Sequence, residues 1–234
     1  MDASFDLRDR VALVSGATGA LGSAVCEAFD DAGATVCGTD LREPSGETPL
    51  DPGTVDFYEA DFTDESDVRE VVAAVVEEHG RLDYLLAVAG TWQGGSPVEG
   101  TDAETFDLLV DVNLKTAFLG AKHAIPHLRD AGGAMVAVSA RSSLEGGEGD
   151  AVYRASKAGV RLLIESIAAE NEGSLRANAV MPGVIDTPAN REAMPDADHD
   201  AWTDPADVAR SILALSTDAM PVTSGAAVPV YGES

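Results

Sequence analysis

Lysine is scarce in this chain of 234 residues, in which Lys and Arg together number 15 against 41 Asp and Glu. The three lysines are Lys115, Lys122 and Lys157. A formal net charge of −26 repels a phosphate backbone, so we expect no nucleic-acid partner. An acid-coated surface with few lysines is typical of proteins that work in concentrated salt, where a Debye length of about 3 Å screens self-repulsion. We therefore predict a halophilic source, with an acidic mesophilic protein as the alternative.

Long apolar runs and paired cysteines are missing as well. No stretch approaches the roughly 20 apolar residues that cross a bilayer. Residues 1–10 carry charges where a signal peptide would have an apolar run, so we expect a cytoplasmic protein without a membrane partner. Cys26 and Cys37 lack the neighbours of a metal knuckle or a redox pair, and we predict two buried thiols and no metal site.

Short apolar runs alternate with amphipathic helical stretches along the whole chain. Strands are predicted at 11–15, 35–40, 56–60, 84–89, 134–139, 176–181 and 227–230. Helices are predicted at 20–32, 66–78, 103–128, 151–172 and after Asp204-Pro205. This alternation indicates βαβ units, and hence one three-layer α/β domain over residues 1–234, with a doubly wound, mostly parallel sheet ordered 3-2-1-4-5-6-7. Residues 186–203 form an excursion that could act as a substrate lid.

A glycine-rich turn joins the first predicted strand to the first predicted helix. It reads Ser-Gly-Ala-Thr-Gly-Ala-Leu-Gly from Ser15 to Gly22. Glycines there let backbone N–H groups approach a pyrophosphate, which then lies at the positive end of the helix. The order of strand, turn and helix predicts a Rossmann fold that binds a dinucleotide, in preference to a turn without a ligand. The expected cofactor contacts are Gly16, Thr18, Gly19, Ala20, Leu21 and Gly22.

Asp40, at the end of the second strand, predicts the kind of dinucleotide. A carboxylate there accepts hydrogen bonds from the adenosine ribose hydroxyls and repels a 2′-phosphate. No Lys or Arg lies within the glycine turn, although Arg42 is two residues beyond Asp40. We predict NAD as the cofactor, with NADP less favoured, and include Leu41 in the site. Asp61 and Phe62, just past the third strand, could flank the adenine, or Asp61 could simply cap the next helix.

A tyrosine and a lysine lie one helical turn apart at Tyr153 and Lys157. This spacing places the phenol and the ammonium on one face of a helix. A free tyrosine has a pKa of about 10, and an adjacent cation favours the phenolate and lowers that pKa. We therefore predict that Tyr153 exchanges a proton with a substrate, against the alternative of a surface pair. Asn113 lies inside a long helical pattern, where it could hold a water or bend the helix.

The glycine turn, Asp40, Asn113 and the Tyr153 and Lys157 pair together resemble the short-chain dehydrogenase/reductase family over nearly the whole chain. The resemblance implies that Tyr153 is the general acid or base, that Lys157 lowers its pKa and binds the nicotinamide ribose, and that Asn113 supports a proton relay. It implies subunit pairing through helices 103–128 and 151–172, hence a homodimer or homotetramer. It also implies further cofactor contacts from Ala89, Gly90, Pro182, Gly183, Val184, Ile185 and Thr187.

The substrate side departs from the commonest pattern of that family. The family's catalytic serine falls thirteen residues before the tyrosine, and this chain has Ala140 there. Ser139 and Ser142 are nearby, although adjacent residues of a strand point to opposite faces. We take Ala140 and Ser142 as substrate-side candidates, together with Trp92, which could stack on a flat substrate or merely pack against the protein.

Dihydropteridine reductases also have alanine at the serine position. The segments 88–95 and 186–198 of this chain are similar in sequence to the corresponding segments of those enzymes. Asn113 points the other way, because those reductases lack asparagine there. We predict an NAD-dependent oxidoreductase that transfers a hydride between nicotinamide and a small alcohol or carbonyl compound. The alternatives are reduction of a quinonoid pterin, a redox sensor that binds the dinucleotide without turnover, and an epimerase or dehydratase on the same fold.

Overall fold

A computed structural model describes residues 5–45 and 48–231 of the chain. Seven strands form one sheet in the order β3-β2-β1-β4-β5-β6-β7, which confirms the predicted α/β fold and its strand order. Every pairing between these strands is parallel, so the sheet described is wholly rather than mostly parallel. The strands are β1 (Val11–Ser15), β2 (Thr35–Asp40), β3 (Asp56–Glu59), β4 (Tyr84–Ala87), β5 (Ala134–Val138), β6 (Arg176–Pro182) and β7 (Ala227–Val230).

Helices cover both faces of the sheet and connect successive strands, except that β2 runs to β3 through a segment whose described residues form no helix. They are α1 (Ala20–Asp31), α2 (Glu65–His79), α3 (Ala103–Val110), α4 (Thr116–Ala131), α5 (Ala151–Glu170), α6 (Pro188–Ala193) and α7 (Pro205–Ser216). One turn of π-helix, Asp111–Lys115, joins α3 to α4. Within the described residues, no helix combines the length and the apolar character that a membrane crossing requires.

The core forms two layers because β1, like the other central strands, is buried on both faces. All five residues of β1 are buried. Since successive side chains point to opposite faces, Leu13 packs into the layer beneath α2, α4 and α5, and Val14 packs into the layer beneath α1 and α7. The near-continuous apolar run in this strand is therefore the sequence signature of its position in the middle of the sheet.

Several predicted elements end one or two residues from the observed bounds, and two of the differences bear on the site. β4 ends at Ala87 instead of residue 89, because the chain turns there and Val88 N–H donates to the carbonyl oxygen of Leu86. The helix predicted over 103–128 is interrupted, since the π turn at Asp111–Lys115 separates α3 from α4. The predicted excursion at 186–203 contains α6 and a short 3₁₀ turn, His199–Ala201.

The carboxyl ends of the parallel strands meet at one edge of the sheet, which we call the carboxyl edge. In doubly wound folds, ligands bind at this edge. The glycine turn follows β1, Asp40 ends β2, Ala140 lies just after β5, and Pro182 ends β6. The fold therefore brings the candidate residues of these four segments to one edge of the sheet.

Candidate active site

The glycine turn after β1 needs glycine at two of its positions for different reasons. Gly16 has a φ of +72°, and a Cβ built on it would lie 2.8 Å from the Cα of Ala89. A Cβ on Gly22 would lie 1.9 Å from the carbonyl oxygen of Gly16. The first glycine thus allows the tight turn, and the second allows α1 to pack directly on it.

The amino-terminal end of α1 has neither a capping side chain nor an acidic residue in its first turn. Its N-cap residue is Gly19, with no side-chain hydrogen bond and no acid in the first turn. α2 contrasts with it, since Asp64 caps that helix and Glu65 and Asp67 occupy its first turn. The positive end of the α1 dipole therefore faces the carboxyl edge without a capping side chain, and the carboxylate of Asp40 accepts from the N–H of Thr18, one residue before the N-cap.

The carboxylate of Asp40 is fixed beside the glycine turn. Its Oδ2 accepts hydrogen bonds from the backbone N–H and the hydroxyl of Thr18, at 3.1 and 2.6 Å. Its Oδ1 accepts from the N–H of Leu41 at 2.8 Å. The side chain of Leu41 is 62% exposed, so it does not pack in the core. The structure thus brings Asp40 and Thr18 together, as a shared cofactor site requires.

Asp61 and Phe62 occupy positions that the sequence did not reveal. The Asp61 carboxylate accepts from the N–H and hydroxyl of Thr63, at 2.8 and 2.7 Å, whereas the residue that caps α2 is Asp64. The alternative that Asp61 caps the helix is therefore wrong. The Phe62 side chain is buried in the core and faces Gly120 of α4, so only its backbone could contact an adenine.

Lys157 is the buried centre of the candidate catalytic group. It lies on α5 one turn after Tyr153, it is 4% exposed, and its Nζ donates to the carbonyl oxygen of Val138 at 2.9 Å. A Cβ built on Gly90 would lie 2.9 Å from that Nζ and 3.0 Å from Oδ1 of Asn113. Gly90 itself is exposed, so the ammonium lies just beneath a surface that a ligand could cover.

The pKa values of Tyr153 and Lys157 are both shifted by burial. Burial raises the pKa of Tyr153 to about 12, the charge of Asp150 adds to this increase, and Arg154 opposes it. Burial lowers the pKa of Lys157 to about 8. The expected lowering of the Tyr153 pKa by Lys157 is not seen in the chain as it stands: the charges that act on the phenol are those of Asp150 and Arg154, and loss of hydration is the larger effect. Tyr153 is therefore a neutral phenol at pH 7.

Asn113 joins three segments of the site. Its Nδ2 donates to the carbonyl oxygen of Thr91 at 3.0 Å and to Oγ of Ser156 at 3.2 Å, and its Oδ1 accepts from Thr91 N–H at 2.9 Å. The Ser156 hydroxyl in turn donates to the Tyr153 carbonyl oxygen at 2.8 Å. Asn113 lies within the π turn, so it does mark a distortion of the helix, as its low helix propensity suggested.

The segment Pro182–Thr187 continues β6 along the carboxyl edge. The Val184 carbonyl oxygen accepts from the N–H of Thr203 at 2.9 Å, which links this segment to the end of the 186–203 excursion. The hydroxyl of Thr187 accepts from the N–H of Asn190 at 3.2 Å and caps α6. Thr187 therefore already has a structural partner, and any cofactor contact would share its oxygen.

The substrate side has one serine available as a hydroxyl donor near Ala140. The Ser139 hydroxyl donates to the carbonyl oxygen of Lys157 at 2.8 Å and is buried, and Ser143 is buried against the sulfur of Met181. Ser142 is half-buried in a 3₁₀ turn, Arg141–Leu144, and stays a substrate-side candidate. Trp92 is 55% exposed, which leaves its ring open to a ligand.

The sequence motifs did not single out Asp150 and Arg154, two charged residues close to Tyr153. They flank Tyr153 on α5 and form an ion pair, Nε to Oδ1, of 2.5 Å. Their spacing of four residues on a helical pattern signals such a pair, but nothing in the sequence shows which loop the pair contacts.

Comparison with known proteins identifies the family. The family model described as enoyl-(acyl carrier protein) reductase matches residues 16–232. This chain belongs to the short-chain dehydrogenase/reductase family. Its members are oxidoreductases that bind NAD or NADP, so the resemblance drawn from the sequence is confirmed.

Individual relatives match over most of their length. The 3-oxoacyl-(acyl-carrier-protein) reductase of Thermotoga maritima is 32% identical over 97% of this chain and 98% of its own. A dihydropteridine reductase of Dictyostelium discoideum is 30% identical over 88% of this chain and 87% of its own. The ligand-free structure of Thermoplasma acidophilum aldohexose dehydrogenase superposes with a TM-score of 0.88 at 27% identity, covering 97% of this chain and 94% of that one.

Proposed function

We propose that this protein is an NAD-dependent oxidoreductase of small alcohols and carbonyl compounds, with Tyr153 as its general acid or base. The observation that carries the proposal is the grouping of the buried Lys157 and Asn113 against Gly90 at the carboxyl edge, with Tyr153 one helical turn before Lys157 on α5. A bound nicotinamide dinucleotide would accept or supply the hydride of the reaction.

The residues at the glycine turn fit such a dinucleotide. Gly16 and Gly22 allow the tight turn and the close packing of α1 on it, and the uncapped start of α1 suits a pyrophosphate. Asp40 would accept hydrogen bonds from the ribose hydroxyls, and its charge opposes a 2′-phosphate, which favours NAD over NADP. We assign the remaining contacts to Thr18, Gly19, Ala20, Leu21, Leu41, Asp61, Phe62, Ala89, Gly90, Pro182, Gly183, Val184, Ile185 and Thr187.

At neutral pH the protonation state of Tyr153 suits a proton donor. Tyr153 is a neutral phenol there, so it can donate a proton to a developing alkoxide. Lys157 is mostly protonated below about pH 8, and its remaining N–H bonds would hold ribose hydroxyls. Asn113 fixes the Thr91 backbone and the Tyr153 helix relative to one another, which keeps the phenol in place.

Reduction of a quinonoid pterin is the second candidate function. Ala140 removes the hydroxyl that would bind a substrate carbonyl, and the exposed Trp92 offers a flat surface for a ring. The 30% identical Dictyostelium relative carries that activity in its name. A substrate panel in molar KCl separates the candidates: quinonoid dihydropterin, alcohols, sugars and ketones, each with NADH and NADPH, followed by nicotinamide absorbance. Turnover of the pterin alone would replace the first proposal with the second.

The exposed apolar residues and the net charge support proposals about the oligomeric state and the environment of the protein. Phe106, Phe118 and Leu162, on α3, α4 and α5, are each about half exposed, which supports a homodimer or homotetramer formed through these helices. The net charge of −26 supports a halophilic cytoplasmic protein with small-molecule substrates and without a nucleic-acid or membrane partner. We also propose that the chain is a single domain whose 186–203 excursion is the substrate lid.

A further inference from the structure

Arg154 follows Tyr153 on α5 and belongs to no sequence motif. Its side chain is only 23% exposed and makes three polar contacts. Nε donates to Oδ1 of Asp150 at 2.5 Å, and Nη1 donates to the carbonyl oxygens of Ser142 and Glu145 at 3.4 and 3.3 Å. The side chain thus connects the first turn of α5 to the segment between β5 and α5, which we call the 141–149 loop.

The middle of the 141–149 loop lies directly on the same guanidinium group. A Cβ built on Gly147 would lie 2.2 Å from Cζ of Arg154 and 2.4 Å from its Nε. A side chain at this position would have to push the end of the Arg154 side chain aside, whereas glycine lets the backbone cover the planar group without displacing it. Gly146, one residue earlier, has nothing within 4 Å of the same built atom. Gly147 therefore contacts the Arg154 guanidinium specifically, and the neighbouring Gly146 does not.

A second loop, residues 91–96, rests on the first. The N–H of Gly95 donates to the carbonyl oxygen of Gly149 at 2.7 Å. A Cβ on Gly94 would lie 3.1 Å from that same oxygen and 3.2 Å from the Cβ of Asp150, the ion-pair partner of Arg154. The two loops carry Trp92 and Ser142, which are the substrate-side candidates beside Ala140. The ion pair therefore lies where both substrate-side loops meet the helix that bears the catalytic tyrosine.

From these contacts we propose that Arg154, held by Asp150, is a positioning residue that fixes the 141–149 loop relative to Tyr153 and thereby sets the affinity for the substrate. The inference rests on the proposed role of Tyr153. Arg154 acts through the loop, and its rigid fork can reach a carboxylate and two carbonyls together, which the single ammonium of a lysine cannot. The cofactor contacts at the glycine turn and Asp40 belong to other segments, so the cofactor should bind normally without it.

Two variants test the proposal, one on each side of the contact between Arg154 and Gly147. Arg154→Met removes the guanidinium, and Gly147→Ala keeps it but places a methyl group in its space. We expect each variant to raise the KM for the substrate by about tenfold, with the KM for NADH unchanged, because a loop displaced by a fraction of an ångström misplaces the substrate alone. Arg154→Lys should fail to restore the substrate KM. Amide hydrogen exchange of residues 141–149, followed by mass spectrometry, should become faster in all three variants.

Matched controls distinguish a specific contact from general disturbance. Gly146→Ala changes the neighbouring exposed glycine, and Arg161→Met removes a similarly half-buried arginine that pairs with Glu165 farther along α5. Both controls should keep the wild-type substrate KM and exchange rates. The proposal is wrong if Gly147→Ala leaves the substrate KM and the exchange of the loop unchanged, or if the KM for NADH rises as much as that for the substrate. The exchange measurement needs no turnover, so it can support the contact even if Tyr153 proves not to be catalytic.

Discussion

The buried ammonium of Lys157 donates a hydrogen bond to the carbonyl oxygen of Val138, the last residue of β5, over 2.9 Å. This hydrogen bond holds the Lys157 ammonium beneath the carboxyl edge, where it has lost its hydration. Burial therefore lowers the pKa of Lys157 to about 8. A side chain that is costly to bury and lies beside an exposed glycine is a strong sign of function.

Replacing Lys157 by Met should stabilise the fold while it removes activity. The lysine has a lowered pKa when folded, so the unfolded chain binds the extra proton between about pH 8 and its ordinary pKa of 10.5. Its burial therefore costs stability below about pH 8, and that cost disappears as the pH rises to 10.5. We expect Lys157→Met to raise the free energy of unfolding at pH 7 by about 1–3 kcal/mol, measured with denaturant.

The control for this prediction is Lys122→Met. Lys122 is about half exposed and forms an ion pair with Glu65 on the surface, so its loss should change the stability by less than about 1 kcal/mol. A Lys157→Met protein that is less stable than the wild type at pH 7 would contradict the account of the burial.

Gly22→Ala should destabilise the protein, although alanine is the better helix former. In an open helix position the change would stabilise by about 1 kcal/mol. Here the new methyl would lie 1.9 Å from the Gly16 carbonyl oxygen, so α1 must move away from the glycine turn. We expect a lower Tm and weaker NADH binding, measured by thermal unfolding and fluorescence titration. Gly120→Ala in α4, where the nearest atom is 3.5 Å away, should leave NADH binding unchanged, and equal behaviour of the two variants would contradict the packing argument.

Asp40→Ser should relax the preference for NADH. The substitution removes the negative charge that opposes a 2′-phosphate, and we expect the ratio of kcat/KM for NADPH to that for NADH to rise by about tenfold or more. Thr18→Val removes one of the two Thr18 hydrogen bonds that orient this carboxylate and should shift the ratio less, in the same direction. A ratio that stays constant in both variants would show that another group selects the cofactor.

The folded state should require salt. With 41 acidic against 15 basic residues, self-repulsion is strong at low ionic strength and screened near molar salt. We expect the Tm at pH 7 to rise by more than 10 °C, which is roughly 2.5–5 kcal/mol for a chain of this size, between 0.1 and 2 M KCl. Equal Tm values in the two solutions would favour the acidic mesophilic alternative.

The sequence predicted the features that depend on local pattern. β1 alternates its side chains between two buried layers, and the predicted order of strand, glycine turn and helix is found at the carboxyl edge of the sheet. The pattern could not predict that α3 would end before Asn113, because the π turn there accompanies hydrogen bonds to Thr91, twenty-two residues away in the chain. The same limit applies to the pKa of Tyr153, since burial by distant segments raises it.

The link from Arg154 to Gly147 shows a further limit of sequence reasoning. The helical spacing of Asp150 and Arg154 predicts an ion pair, but a loop without regular structure gives no indication that its glycine lies on the guanidinium. Contacts of this kind depend on the tertiary fold, and the comparison with relatives, which identifies the family, does not reveal them either.

The central claim is that the phenol of Tyr153 exchanges the proton of the reaction beside a bound dinucleotide. Tyr153→Phe removes only that hydroxyl, and Tyr58→Phe, at a surface tyrosine bonded to Glu78, is the matched control. Single-turnover and steady-state rates, with NADH affinity measured in parallel, should show that Tyr153→Phe lowers kcat by at least about 100-fold with unchanged NADH affinity. Wild-type turnover in the Tyr153→Phe protein would contradict the account.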